Sequence, residues 1–111
     1  MTTITVLEKD GSLTGFRAKG HSGFAESGED IVCAAVSALT QTAYLGISEL
    51  TDAEVMIDQR DGELHLELKP GVSPEARNKA ELILGTMLLG LRAIEENYTG
   101  YLKIIKKEVK A

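Results

Sequence analysis

Alternating hydrophobic and polar positions predict two β-hairpins in this chain. The segments ITVL and LTGFRAK, within residues 4–19, are rich in strand-favouring residues and flank Asp10-Gly11, a turn dipeptide. The segments VMIDQ and ELHLELK flank a second turn at Arg60-Asp61-Gly62. Every second residue of ELHLELK is a leucine, which predicts one buried and one polar face: the leucines are Leu64, Leu66 and Leu68, and the polar residues are Glu63, His65 and Glu67.

Apolar residues at steps of three and four predict two helices. The first runs from about residue 31 to 50, with an apolar face made of Val32, Val36, Leu39, Ala43, Ile47 and Leu50. The second begins at Ser73-Pro74, with serine at the N-cap and proline at the first helical position. Its apolar set is Ala76, Ala80, Ile83, Leu84, Met87, Leu88, Leu91 and Ile94. Because its centre, LILGTMLLGL, is apolar on nearly every side, we expect a partner subunit to cover part of it.

The order of these elements predicts the fold class. Gly100 is expected to end the second helix, and YLKIIKKEV then reads as a lysine-protected edge strand. The resulting order, ββαββαβ, predicts a two-layer α+β domain with two helices packed on one mixed β-sheet. A length of 111 residues predicts a single domain over residues 1–111.

Composition and charge narrow the classes of function. The formal net charge of −5 does not favour the phosphate backbone of nucleic acid, but it suits a basic protein or peptide. The N-terminal sequence lacks the features of a signal peptide, and no apolar run approaches the roughly 18 residues of a membrane span. One cysteine cannot form an internal disulfide, which indicates a reduced, cytoplasmic protein. One cysteine and two scattered histidines do not make a structural zinc set, and no cofactor is expected.

The candidate chemistry lies in GHSGFAESGEDIVCAAVS, residues 20–37. Cys33 falls in the predicted first turn of a helix, where free N–H groups and the helix dipole favour a thiolate. His21 ends the preceding strand, close enough along the chain to fold back beside the sulfur as its base. The loop between them is a candidate mobile lid, with Gly23 and Gly28 as its hinge glycines.

Other features of the same segment favour a structural role. Glu29 and Asp30 are negative and close to Cys33, which opposes thiolate formation. A lone cysteine in VCAAVSAL is more often a small core residue than a nucleophile, and composition alone favours that interpretation. The rival base, His65, lies on the polar face of a strand, where a solvated surface role is expected.

The motif G-H-S-G-x₆-D-I-V-C-A-A-V-S resembles the ribosomal-processing cysteine protease family, Prp, and the element order agrees over essentially the whole chain. The resemblance implies a homodimeric bacterial endopeptidase with a Cys–His dyad. Such enzymes remove a short N-terminal extension from a large-subunit ribosomal protein, cutting after phenylalanine in an apolar context. At the matching positions, Cys33 is the nucleophile, His21 is the base, and Asp30 and Ser37 have supporting roles.

Two alternatives to this protease remain open on the sequence alone. The first is a non-catalytic dimeric module that binds a basic ribosomal protein or an assembly factor, which suits the acidic charge and the apolar second helix equally well. The second is a thiol-dependent enzyme other than a protease. Reactivity of Cys33 in the native state would separate a nucleophile from a core cysteine.

Overall fold

The structure, a computed structural model, describes residues 1–20, 23, 25–26 and 30–109. Within those residues the chain forms a five-stranded sheet and two long helices, in the predicted order ββαββαβ. The elements are β1 (Thr2–Lys9), β2 (Ser12–Lys19), α1 (Ile31–Leu50), β3 (Val55–Arg60), β4 (Glu63–Leu68), α2 (Pro74–Asn97) and β5 (Leu102–Glu108). The predicted bounds of the first helix, about 31 to 50, are confirmed.

The sheet is mixed, as predicted, with the strand order β3-β4-β2-β1-β5. Neighbouring strands are antiparallel except β1 and β5, which are parallel. Both Asp10 (φ 52°) and Gly11 (φ 82°) adopt the left-handed conformation that a tight hairpin turn of this kind requires. The last strand, β5, lies at the edge of the sheet, which confirms the prediction from its lysines.

The core lies between one face of the sheet and the two helices. Alternation places Leu64 and Leu66 of β4 in this core, as predicted, while α2 buries a single face. That face consists of Ala76, Ala80, Leu84, Met87 and Leu91. The prediction for Leu50 is wrong, because its side chain is 73% exposed at the last position of α1, beyond the contact with the sheet.

The two helices pack closely through small residues. A Cβ atom at Gly90 would lie 2.9 Å from Leu39 Cδ1, and one at Gly46 would lie 3.5 Å from Ile83 Cγ2. The first contact joins the first half of α1 to the second half of α2, and the second joins the second half of α1 to the first half of α2, so the helices run antiparallel. Glycine at position 90 therefore lets α1 and α2 approach to a distance that a larger side chain would prevent.

Among the described residues, α1 is long and apolar enough to cross a membrane by length and composition alone. A helix from the core of a globular domain meets the same criterion, and α1 buries Val32, Val36, Ala43 and Ile47 in the core. We therefore attribute the apolar character of α1 to packing within the domain.

Candidate active site

Cys33 lies in the first turn of α1, at the place that the sequence predicts. The N-cap residue is Asp30, whose extended backbone (φ −80°, ψ 99°) ends the loop and whose carbonyl accepts the first helical bond from Ala34, at 3.0 Å. The Asp30 carboxylate accepts a hydrogen bond from the Cys33 N–H, with 2.9 Å between Oδ1 and N. The carboxylate thus fixes the start of the helix and the position of the cysteine backbone.

A cavity of about 520 Å³ opens between the first half of α1 and the sheet. Cys33 is half-buried in its wall, and Ser37, one helical turn later, is exposed beside it. The two side chains therefore share one face of α1, as their spacing predicts. The sheet side of the cavity includes Ala18 and Leu64, so an apolar floor faces the thiol. This placement is that of a cysteine at a cleft, not of a fully buried core residue.

Gly20 anchors the end of β2, the residue before His21, to two neighbouring segments. Its N–H donates to the Gly62 carbonyl at 2.8 Å, in the turn between β3 and β4. With φ at +95°, Gly20 adopts a conformation that favours glycine, and a Cβ atom there would lie 2.8 Å from the Met1 carbonyl oxygen. The chain therefore leaves β2 at a fixed point on the rim of the cavity.

The predicted base and much of the predicted lid lie outside the described residues. His21 and Gly28 are among the residues outside the described ranges, so their predicted roles stay predictions. Gly23 is described, is exposed and has a φ of +74°, which is the conformational freedom expected of glycine in a turn. Its predicted role as a hinge also stays a prediction.

Charged side chains form the rim of the cavity at the turn between β3 and β4. Arg60 donates two hydrogen bonds to Asp58, at 3.2 and 3.0 Å, which together with the charges of Asp58 and Glu63 raise the pKa of Arg60 above its usual value. Glu63 in turn pairs with Arg17 at 3.3 Å. Asp61, also on the rim, belongs to none of the ion pairs found within the described ranges. The rim therefore offers a carboxylate to an incoming cation.

His65 lies away from this cavity. It is paired across the sheet with Arg17 and Asp58, and its Nε2 lies 3.4 Å from a carboxylate oxygen of Glu67. Alternation along β4 directs His65 to the face opposite Leu64 and Leu66, whereas Cys33 lies on the helix side of the sheet. The structure therefore separates the rival base from the thiol.

Several residues of the cavity wall carry no local signal in the sequence. Thr2 and Thr40 line the cavity together with Gln59 from the end of β3. They come from three distant parts of the chain, and only the pairing of the strands and the placement of α1 bring them to Cys33. No group of three or more metal-ligating side chains occurs in the part of the chain that the structure describes.

A half-buried thiol in the first turn of a helix, in the wall of a cavity of about 520 Å³, is the arrangement expected of a thiol nucleophile. The family model Cysteine protease Prp matches residues 1–103, and the chain belongs to this family. The chain is therefore a cysteine protease, not the non-catalytic module that the sequence left open.

Relatives with this family name agree over most of the chain. The ribosomal processing cysteine protease Prp of Bacillus subtilis is 34% identical over 97 residues, covering 86% of this chain and 87% of the relative. The crystal structure of the essential ribosomal processing protease Prp from S. aureus with a covalently linked product peptide superimposes with a TM-score of 0.86. It is 33% identical and covers 96% of this chain and 100% of that one. The S. aureus complex with a substrate peptide gives a TM-score of 0.81 at 32% identity, covering the same shares of the two chains.

Proposed function

We propose that this protease removes a short N-terminal extension from a bacterial large-subunit ribosomal protein. The observation that carries the proposal is Cys33 at the start of α1, in the wall of a cleft whose charged rim includes Asp61. The names of the relatives support ribosomal processing, and the S. aureus structures with peptides support a peptide substrate. Ribosomal proteins are basic, so the carboxylate of Asp61, which forms no ion pair with the other described residues, suits such a substrate.

In the proposed mechanism, the Cys33 thiolate attacks the scissile carbonyl and forms an acyl-enzyme. His21 takes the thiol proton, returns it to the leaving amine, and then activates the water that hydrolyses the acyl-enzyme. Ser37 lies at the cavity next to Cys33 and supports the site by hydrogen bonding. Gly23 and Gly28 act as hinges that admit the peptide.

The start of α1 supplies the proposed oxyanion donors. The Cys33 N–H already donates to Asp30, which leaves the N–H groups of Ile31 and Val32 as the donors at this helix start. The first N–H groups of a helix have no intrahelical partner, and the helix dipole favours negative charge beside them. A developing oxyanion at this point would therefore be stabilised without any rearrangement of the backbone.

Incubation with the extended ribosomal protein tests the proposed function. Mass spectrometry should show loss of the N-terminal extension, with cleavage after phenylalanine in an apolar context, as the family resemblance implies. The matched control is the same protein with its extension already removed, which should not change mass. An extended protein that stays intact with enzyme whose thiol reacts with label in a separate sample would refute the proposed substrate.

We expect Asp30→Asn to separate two functions of this carboxylate. Asparagine caps a helix about as well as aspartate, whereas Asp30→Ala should cost about 0.5–2 kcal/mol of stability. If the Asp30 charge also orients His21, cleavage should slow sharply in Asp30→Asn while the melting temperature is kept, and Asp30→Ala should lose both. Full activity of Asp30→Asn, measured beside its melting temperature, would reduce Asp30 to a helix cap.

We also propose a homodimer that contacts through the exposed apolar residues of the two helices. Leu82 and Leu89 of α2 are 73% and 71% exposed, and Leu45 of α1 is 55% exposed. Leu82 and Leu89 are seven residues apart, so they lie on one side of α2, away from its buried face. This exposed apolar surface supports the partner subunit that the sequence predicts.

A cytoplasmic location is also proposed, supported by the single cysteine.

Sedimentation at micromolar concentration should give twice the mass of the chain. Leu89→Asp should shift the protein to a monomer, because it places a charge in the proposed apolar contact. Met56→Asp is the matched control, since Met56 is 49% exposed on the edge strand β3, away from both helices. A monomeric parent chain, or equal effects of the two variants, would contradict this interface.

A further inference from the structure

Thr2 places a hydroxyl with no hydrogen-bond partner in the wall of the active-site cavity. The residue is 3% exposed, and among the described residues Oγ1 of Thr2 is the buried side-chain oxygen or nitrogen that has no partner. The burial pattern of β1 puts Thr2 on the same face as Ile4 and Val6, which is the face toward the helices. A buried hydroxyl without a partner is unfavourable, so a native structure that keeps one calls for a reason.

The surroundings of Thr2 show that its hydroxyl belongs to the active-site region. Cys33 lines the same cavity, and the Cβ position of Gly20, the residue before His21, lies 3.9 Å from Thr2 Cα. The other buried threonine of the wall, Thr40, has partners: its hydroxyl donates to the carbonyl of Val36 at 2.9 Å and also lies 3.3 Å from that of Ser37. Within the described residues, one of the two buried threonine hydroxyls of this wall thus has a partner and the other has none.

The main-chain N–H of Thr2 is not available to a bound peptide, because it already has a hydrogen-bond partner. The Thr2 N–H donates to the Tyr101 carbonyl at 3.1 Å, and the strand pairs with β5 at Leu102. The backbone of Thr2 is therefore fixed. Rotation about χ1 between staggered rotamers would exchange the places of the hydroxyl and methyl groups. Turning the hydroxyl toward the cavity would therefore require rotation about χ1 and no movement of the sheet.

We propose that Thr2 is a substrate-positioning residue, whose hydroxyl hydrogen-bonds a main-chain amide group of the peptide bound beside Cys33. The inference rests on the proposed function, because it takes the peptide to occupy this cavity. A threonine hydroxyl both donates and accepts, so it complements either the N–H or the carbonyl of a peptide unit. The bond is made when peptide enters and orients the scissile carbonyl toward the thiol.

The test compares Thr2→Val, which keeps the shape of the side chain and removes the hydroxyl, with Thr2→Ser, which keeps the hydroxyl. In Thr2→Val we expect kcat/KM for the extension peptide to fall about tenfold, with an unchanged or higher melting temperature because an unpaired buried hydroxyl is gone. Thr2→Ser should restore kcat/KM to about twofold of the parent value. Thr5→Val is the matched control on the same strand, facing the opposite side of the sheet, and should keep the parent kinetics.

A binding measurement distinguishes failure of this inference from failure of the proposed function. Fluorescence anisotropy of the labelled peptide on Cys33→Ala, with and without Thr2→Val, measures positioning without cleavage. Weaker binding with Thr2→Val supports the positioning role. This holds even if the parent enzyme does not cleave the peptide and the proposed substrate is thereby refuted. Equal binding and equal kcat/KM would overturn it, as would a purely structural outcome in which Thr2→Val lowers the melting temperature alone. Failure of the peptide to bind either protein would also overturn it.

Discussion

Replacing Cys33 with alanine should abolish cleavage while the fold stays intact. The thiolate is the nucleophile of the proposed mechanism, and removing the nucleophile of a comparable hydrolase lowers kcat by about 10⁶-fold. Cys33 is half-buried at the first turn of α1, so alanine removes one sulfur atom without leaving a large cavity. We expect the free energy of unfolding to change by about 1 kcal/mol or less. A peptide-cleavage assay beside thermal unfolding measures both effects.

Labelling of the parent protein provides the companion measurement. Since the chain has one cysteine and iodoacetamide reacts fastest with thiolates, native-state modification that is lost in Cys33→Ala is assigned to Cys33. A nucleophile should be alkylated in the native state and the modified enzyme should be inactive, whereas a core cysteine would react only after unfolding. Cleavage by Cys33→Ala near the parent rate, or alkylated protein that still cleaves, would place the nucleophile elsewhere.

Elements with a strong local pattern could be predicted from the sequence. The first helix has its predicted bounds because Asp30 supplies a cap just before a regular apolar face. The leucine alternation in β4 fixes which face of the strand is buried, and Asp10-Gly11 fixes the first hairpin turn. In each case a few consecutive residues determine the geometry, so no information from distant parts of the chain is needed.

The shape of the site depends on long-range contacts and could not be predicted in the same way. Cys33 and Asp30 carry a local signal, since capping and the first helical turn are set within four residues. Thr2 and Gln59 reach the cavity only because β1 and β3 belong to one sheet under α1. At Leu50 the opposite occurs, because a local pattern predicts burial that the fold does not provide. Leu50 continues the apolar spacing of α1, but the helix extends past the surface that would cover it.

Replacing His21 with alanine should lower kcat by about 10²–10⁴-fold, because the thiol loses its base and the leaving amine its proton donor. The prediction comes from the position of His21 in the motif, before the loop that precedes Asp30 and Cys33. Added imidazole should restore part of the rate in His21→Ala, because a small base can enter the space of the missing ring. The effect on KM should be small compared with that on kcat.

The second histidine of the chain is the matched control for this change. His65 pairs with Glu67 on the opposite face of the sheet from the helices, so His65→Ala should leave cleavage unchanged and alter stability by about 0.5 kcal/mol. Because the chain has two histidines, the two variants also decide which one sets the pH profile of cleavage. Loss of activity in His65→Ala with retained activity in His21→Ala would reverse the assignment. Such a result would require the base to act from a face that the sheet separates from Cys33, and the proposed mechanism would then be wrong.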